Sequence, residues 1–305
     1  MVNGGDLVQA LPQLSDYAEI EVQEFSRIGS YHLTPEYWLQ LARLINQRLK
    51  EDLTLAGIVI THGTDTIEET AFFLHLISDD ARPILLTGAM KTADEISADG
   101  PANLLNSVRV AADLQSRGRG VMMVFNEKIL SARDAWKSDN RSPETFQHTG
   151  FGYLGIVDPD GVKFYRNISY PHAIQPDFNL EEISVLPKVG ILMDYTGFDE
   201  SMLDYFAQQM PDGLVFQSMA GGRLSKGALE GIRNLPGNIT VVISSKVPLG
   251  RITGDPNFGL KVIYARHLST NRARILLMLG LTLTRDFQTL KGIFEQTDFA
   301  QSDFL

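Results

Sequence analysis

The chain has 305 residues, of which 44% are hydrophobic and 21% are charged. This composition is typical of a folded enzyme and excludes a disordered or fibrous chain, and the length favours two domains. With 27 basic and 37 acidic residues the net charge is −10, so no excess of positive charge is available to neutralise phosphates. We therefore expect neither nucleic acid nor an anionic membrane among the partners.

Two further classes of protein are disfavoured. No apolar run reaches the roughly 20 residues that a membrane-spanning helix needs. Cysteine is absent, which excludes disulfides, thiolate nucleophiles and cysteine-ligated zinc. The first five residues show neither the basic nor the apolar region of a secretory signal. The sequence thus favours a cytoplasmic location, although a longer N-terminus could have held a signal.

Short apolar runs alternate with amphipathic stretches along most of the chain. Strands are predicted at 56–60, 83–87, 121–125, 189–195, 213–218 and 240–244. Helices are predicted at 35–50, 67–78, 101–115, 200–209, 224–234, 271–284 and 286–296. Thr66 with Glu69 forms a capping box for the second helix, and Pro101 suits the first position of the third. This alternation predicts βα units with a parallel sheet, and therefore an α/β fold.

The pattern changes where Asp158-Pro159-Asp160-Gly161 predicts the turn of a β-hairpin. A polar stretch follows, and a new βα series begins at Lys188. We therefore predict a larger N-terminal domain with a parallel sheet at 1–167, a linker at 168–187, and a smaller, Rossmann-like C-terminal α/β domain at 188–305.

The most informative segment is 57–70, where a buried strand leads through a polar turn into a helix. Ligands of open α/β sheets bind at the carboxyl ends of the strands, where Thr64 and Asp65 are expected. Thr64 could serve as a nucleophile or a hydrogen-bond donor, and Asp65 could bind a substrate ammonium or orient a base. The alternative is that both residues only cap the helix.

Three other polar loops could contribute to a site. Lys137 can act as a base beside a threonine if burial favours its neutral amine, whereas a carboxylate such as Asp65 favours the ammonium form. The alternative for Lys137 is a solvated or salt-bridged surface lysine, and for Ser30 a residue that only forms a turn. The loop of Ala89 also follows a strand and could face the same cleft. His62 is interpreted as a hydrogen-bonded turn residue.

Motifs for metals, nucleotides and serine nucleophiles are missing from the sequence. The six histidines show no metal-ligand spacing. No glycine-rich phosphate loop or Gly-x-Ser-x-Gly sequence occurs. We therefore predict neither a metal nor a cofactor, and a nucleotide-binding function is disfavoured.

Taken together, these segments resemble the bacterial-type L-asparaginases. These threonine amidohydrolases convert asparagine to aspartate and ammonia, and some of them also act on glutamine. The resemblance rests on the segment 60–70, Ile-Thr-His-Gly-Thr-Asp-Thr-Ile-Glu-Glu-Thr, and continues through 87–90, 98–101, 132–134, Lys137 and 186–190. It covers nearly the whole chain.

The resemblance implies a role for each matching residue. Thr64, Asp65 and Lys137 would form one of the family's two catalytic threonine-centred groups. Ser30 and Asp65 would hold the α-carboxylate and α-ammonium of the substrate, and Tyr31 stands beside them where many relatives have Gln or Glu. Ala89 would contact the side-chain amide through its backbone.

The resemblance also implies acyl transfer through a threonine ester and a homotetramer of paired subunits that share active sites. This sequence departs from the family pattern at its beginning. Its residues 4–13 resemble the stretch that follows the family's mobile lid, so the usual first strand, the Thr-Gly-Gly-Thr nucleophile segment and the lid are expected to be missing. The alternative function is therefore an impaired or inactive relative that only binds a small amino acid.

Overall fold

The computed structural model of the protein describes residues 3–167, 178–257 and 259–296. The chain divides into two units, Met1–Ala173 and Ile174–Leu305. Residues 168–177 of the predicted linker lie outside the described residues. The rest of that linker, 178–187, carries the buried side chains of Phe178, Leu180, Ile183 and Leu186.

The described residues of the first unit form four α-helices and eight strands. The helices are α1 (Gly4–Gln9), α2 (Pro35–Glu51), α3 (Ile67–Ile77) and α4 (Gly100–Ala112). The strands are β1 (Ile58–Thr61), β2 (Ile84–Thr87), β3 (Val121–Phe125), β4 (Lys128–Ser131), β5 (Ala135–Lys137), β6 (Phe146–His148), β7 (Gly155–Asp158) and β8 (Gly161–Phe164).

Six of these strands form one sheet in the order β1-β2-β3-β4-β7-β8, and β5 pairs with β6 separately. Strands β1, β2 and β3 run parallel. The sheet becomes antiparallel after β3, because Asn126 and Glu127 take φ values of 48° and 64° in a two-residue hairpin turn. The predicted hairpin at Asp158–Gly161 is confirmed as the turn between β7 and β8.

The core of the first unit lies where α3 and α4 pack on the sheet. Every residue of β2 and β3 is buried, as expected for central strands. Val110 of α4 belongs to the same apolar cluster as Leu85, Met122 and Val124. Strand β1, at one edge of the sheet, is only partly buried. The parallel half of the sheet is therefore a packed platform for the loops that follow its strands.

The second unit is a smaller α/β unit. Its strands are β9 (Val189–Met193), β10 (Gly213–Ser218), β11 (Thr240–Ser245) and β12 (Ile263–Tyr264). Its helices are α5 (Ser201–Gln208), α6 (Lys226–Asn234), α7 (Thr270–Leu283) and α8 (Phe287–Gln296). All four strands are parallel in the order β12-β11-β10-β9, and α7 packs against the three strands β9, β10 and β11.

The predicted α/β fold, with a larger N-terminal and a smaller C-terminal sheet, is confirmed, although the larger sheet is parallel only in its first half. The predicted capping box at Thr66 is wrong. Its hydroxyl makes no bond to the start of α3 and donates instead to the carbonyl of Ser30 at 2.9 Å. In the described ranges 3–167, 178–257 and 259–296, no helix combines the length and apolar character needed to cross a membrane.

Candidate active site

Polar loops follow β1, β2 and β3 at one edge of the first sheet. Because these strands are parallel, their carboxyl ends, Thr61, Thr87 and Phe125, lie at the same edge. The turn after β1 carries Thr64 and Asp65, and the loop after β2 carries Ala89. The predicted site is therefore built at the sheet edge where open α/β folds bind ligands.

Lys137 joins the two polar residues of the turn after β1. Its Nζ donates to Thr64 Oγ1 at 3.0 Å and to Asp65 Oδ1 at 3.0 Å. The Lys137 side chain is only 18% exposed, whereas that of Asp65 is 55% exposed. The lysine is therefore an ion-paired group held against the threonine hydroxyl and not a solvated surface residue.

Ser30 anchors the same turn from the other side. It lies in a short 3-10 turn just before α2, is buried, and its Oγ accepts the backbone N–H of Asp65 at 3.2 Å. This approach is close because residue 63 is glycine, since a Cβ there would lie 2.8 Å from Ser30 Oγ. The structure thus brings Ser30 to Asp65 across 35 residues of sequence.

The loop of Ala89 packs directly against the turn that carries Thr64. A Cβ at Gly88 would lie 2.3 Å from the carbonyl oxygen of His62 and 3.5 Å from Thr64 Cγ2. Only glycine permits this contact without a backbone shift. Ala89 itself is exposed. The predicted site residues Ala89 and Thr64 therefore lie on adjoining loops.

Tyr31 is the least integrated of the predicted site residues. It follows Ser30 in the same short turn, but its side chain is exposed and its ring lies against His32, with 4.4 Å between the ring centroids. Among the described residues, no hydrogen bond joins the Tyr31 hydroxyl to another site residue. Tyr31 therefore lies near the site because it follows Ser30 in the chain, and not because its side chain bonds to a site residue.

His62 supports the turn through a chain of hydrogen bonds. The indole N–H of Trp38 donates to Thr70 Oγ1 at 3.1 Å, Thr70 Oγ1 lies 3.0 Å from His62 Nε2, and His62 Nδ1 lies 2.6 Å from the Gly63 carbonyl. Because Trp38 can only donate, Thr70 gives its own proton to Nε2, and Nδ1–H donates to Gly63. Burial lowers the pKa of His62, which keeps the ring neutral.

The arrangement has the parts needed for acyl transfer. A hydroxyl lies within hydrogen-bond distance of an amine, a carboxylate orients that amine, and an exposed backbone amide lies on the adjoining loop. In the part of the chain that the structure describes, no three acidic or histidine side chains are grouped closely enough to hold a metal ion.

Several residues around the site were not identified from the sequence. Trp38 and Thr70 support His62, and Asp99 and Asn103 bond to the loop of Ala89. All four lie on helices or at a helix start. Asp99 directly precedes Gly-Pro at a helix start, and this pattern could have drawn attention to it. The pattern predicts a helix cap, however, and not a bond to another loop.

Known proteins resemble the chain throughout its length. Residues 1–170 match the family model "Asparaginase, N-terminal", and residues 188–294 match "Glutaminase/Asparaginase C-terminal domain". The probable periplasmic L-asparaginase of Haemophilus influenzae is 37% identical over 95% of this chain and 83% of its own length. L-asparaginase 2 of Escherichia coli is 36% identical over 95% of this chain and 84% of its own length.

A solved structure shares the fold. The crystal structure of a probable cytoplasmic L-asparaginase from Campylobacter jejuni superimposes with a TM-score of 0.90 at 34% sequence identity. The similarity covers 96% of this chain and 94% of that chain. At this identity and coverage, the likeness reaches both units.

Proposed function

This chain belongs to the asparaginase family of amidohydrolases, and we propose that it hydrolyses L-asparagine to L-aspartate and ammonia through an ester on Thr64. The observation that carries the proposal is the position of Lys137 Nζ, 3.0 Å from both Thr64 Oγ1 and Asp65 Oδ1. L-glutamine is a second candidate substrate, because the matched C-terminal family includes glutaminases.

The proposed reaction has two halves. Thr64 Oγ1 bonds to the side-chain amide carbon while its proton passes to the amine of Lys137, whose ammonium form, paired with Asp65 at rest, has first released a proton to solvent. Lys137 returns a proton to the amide nitrogen, the C–N bond breaks and ammonia leaves. Water then attacks the ester carbon, the bond to Thr64 Oγ1 breaks, and aspartate leaves with the threonine hydroxyl restored. The backbone at Ala89 stabilises the oxyanion in both halves.

The remaining site residues are proposed to hold the α-groups of the substrate. The half-exposed Asp65 carboxylate binds the α-ammonium, because an opposite charge at hydrogen-bond distance is a strong attractor for it. Ser30 holds the α-carboxylate, and Tyr31 borders that end of the pocket. We also propose that the chain works as a homotetramer of paired subunits.

The predicted domain bounds and the predicted location remain predictions. The domain bounds 1–167 and 188–305 remain our proposal for the enzyme's organisation. The names of the related proteins divide between the periplasm and the cytoplasm, so the predicted cytoplasmic location is neither supported nor opposed by them.

The function is tested by measuring ammonia release from L-asparagine and L-glutamine. Thr64→Val removes the proposed nucleophile at nearly constant volume, and Thr64→Ser retains a hydroxyl. Thr54→Val is the matched control, because its hydroxyl bonds only to Asp52 on the surface, at 2.6 Å. Acid quenching followed by peptide mass spectrometry then locates the aspartyl ester.

We expect turnover by the natural chain and by Thr54→Val, an ester on the Thr64 peptide, and no turnover by Thr64→Val. Full turnover by Thr64→Val would reject Thr64 as the nucleophile. Binding of L-aspartate without ammonia release from either amide would support the alternative of a protein that only binds an amino acid.

A further inference from the structure

The loop after β2 has an uneven pattern of hydrogen bonds. The carbonyl of Gly88 accepts a bond from Asn103 Nδ2 at 3.0 Å. The N–H groups of Met90 and Lys91 donate to the Asp99 carboxylate at 3.0 and 2.9 Å. Between these bonded groups, neither the N–H nor the C=O of Ala89 has a partner within the described residues.

Ala89 is held with its side chain turned toward α4. A Cβ at Gly100 would lie 3.2 Å from the Ala89 Cβ, so the methyl group packs against the start of that helix. The residue is nevertheless exposed. Its unpaired peptide groups are therefore available to a ligand, while the carbonyl of Gly88 and the N–H groups of Met90 and Lys91 are occupied.

Asn103 connects this loop with the next one. Besides its bond to Gly88, its amide donates to Asp99 Oδ2 at 3.1 Å, and its Oδ1 accepts the backbone N–H of Asn126 at 2.9 Å. Asn126 lies in the hairpin turn directly after β3. The Asn103 side chain is 2% exposed and so ties together the ends of β2 and β3 from inside the protein.

Asp99 occupies the N-cap position of α4 but makes no side-chain cap there. An aspartate at this position normally accepts the N–H groups of its own helix. Here both carboxylate oxygens accept the N–H of Met90 instead, and Oδ1 also accepts that of Lys91. The carboxylate therefore stabilises the loop and not the helix.

We propose that Asp99 and Asn103 are positioning residues that hold the loop after β2 so that the peptide groups of Ala89 face the side-chain amide of the substrate. The inference rests on the proposed function, since it assigns the two residues to one end of that substrate. They act through the loop and touch no reacting atom. The α-carboxylate and α-ammonium end, at Ser30 and Asp65, does not depend on them.

Three variants separate this role from a general contribution to folding. Asn103→Asp keeps the shape but replaces two donors with an acceptor that faces the Gly88 carbonyl and Asp99. Asp99→Ala removes the loop acceptor and leaves the hydrogen bonds of α4 intact, because Asp99 does not cap it. Asn106→Asp makes the same amide-to-carboxylate change one turn along α4, where the side chain accepts a hydrogen bond from Arg109 and makes none to the loop of Ala89 within the described residues.

The kinetic test compares the change in kcat for L-asparagine with the change in the Kd of L-aspartate. We expect Asn103→Asp and Asp99→Ala to lower kcat for L-asparagine roughly tenfold to a hundredfold, because misplacing a catalytic group by about 1 Å costs this much. The Kd of L-aspartate, which has the same α-groups, should change by less than about threefold. Asn106→Asp should match the natural chain in both quantities.

A second readout does not require turnover. Hydrogen–deuterium exchange of peptides spanning 88–91 should be faster in Asp99→Ala than in the natural chain. Unchanged kcat in both variants, or an equal loss in Asn106→Asp, would overturn the inference while leaving the proposed function intact. If the natural chain releases no ammonia, the proposed function fails, and unchanged exchange in Asp99→Ala would then reject the positioning role as well.

Discussion

The backbone N–H of Lys137 donates to the carboxylate of Glu68 at 2.6 Å, which ties strand β5 to the first turn of α3. Glu68 follows Thr64 by four residues in the chain. The same helix start therefore fixes the strand that carries the lysine and the turn that carries the threonine. This bond explains how two residues 73 positions apart in sequence are held with Nζ and Oγ1 3.0 Å from each other.

Lys137→Met tests the amine while keeping the length and apolar stem of the side chain. We expect turnover of L-asparagine to fall by roughly 100-fold or more, because a positioned acid–base group contributes about that much. Ammonia release is the measurement, and Lys163→Met is the control, since Lys163 lies exposed on β8. Equal activity of the two variants would show that Lys137 only supports the structure.

Asp65→Asn tests the charge that is proposed to hold the substrate ammonium. We expect KM for L-asparagine to rise roughly tenfold to a hundredfold, because a hydrogen bond to a charged group contributes about 1.5–3 kcal/mol. The free energy of unfolding should also fall, by roughly 1–3 kcal/mol, because the Lys137 amine, which is only 18% exposed, loses its charged partner. Steady-state kinetics measures KM, and urea unfolding measures the stability. Asp79→Asn is the control, because Asp79 is exposed. A fall in kcat at constant KM would contradict a binding role.

Thr70→Val tests the buried hydrogen bonds behind the site. The hydroxyl of Thr70, which is 1% exposed, accepts from Trp38 and donates to His62. Its loss leaves two buried polar groups unpaired and should lower the free energy of unfolding by roughly 1–3 kcal/mol in urea titrations. Thr70→Ser, which keeps the hydroxyl, should recover most of this loss. Equal stability of the Val and Ser variants would disprove the hydrogen-bond chain.

The pH dependence of stability should report on His62. Burial lowers its pKa below the usual 6.5, so near and below pH 6.5 the unfolded chain binds a proton that the folded chain does not. The stabilisation from the neutral ring is therefore complete above that pH and is lost as the pH falls through the folded-state pKa. We expect the urea midpoint to fall more between about pH 7.5 and pH 5.5 in the natural chain than in His62→Gln. An equal fall of the urea midpoint in both proteins would show that His62 is not the source of the pH dependence.

The sequence located β1, β2, β3, β9, β10, β11 and the turn with Thr64 because these are local patterns, but it missed β4, β6, β12 and β5, whose last residue is Lys137. The predicted strands at 121–125 and 213–218 have the bounds found in the structure. The turn with Thr64 and Asp65 was placed at a strand end from the residues of one segment. Strands and turns are determined largely by residues a few positions apart in the chain, so their pattern can be read from the sequence.

Two other failures involve side chains with two possible partners. Thr66 has the local pattern of a cap, yet its hydroxyl bonds to Ser30, 36 residues away. Asp99 has the same local pattern, yet its carboxylate bonds to the loop at Met90. A hydrogen-bonding group takes the partner that the folded chain brings to it, and sequence spacing does not encode that distance.

The amino-acid sequence by itself determined the α/β class, the turn that carries Thr64 and the family resemblance. The resemblance implied that Lys137 acts with Thr64 and Asp65, and the tertiary structure gave the 3.0 Å contacts between them. Only the tertiary structure decided that Gly88 lies against His62 and that Asp99 and Asn103 bond to the peptide groups on either side of Ala89. The physical reason is that residue periodicity fixes local backbone structure, whereas catalytic geometry depends on contacts of about 3 Å between loops that are far apart in the chain.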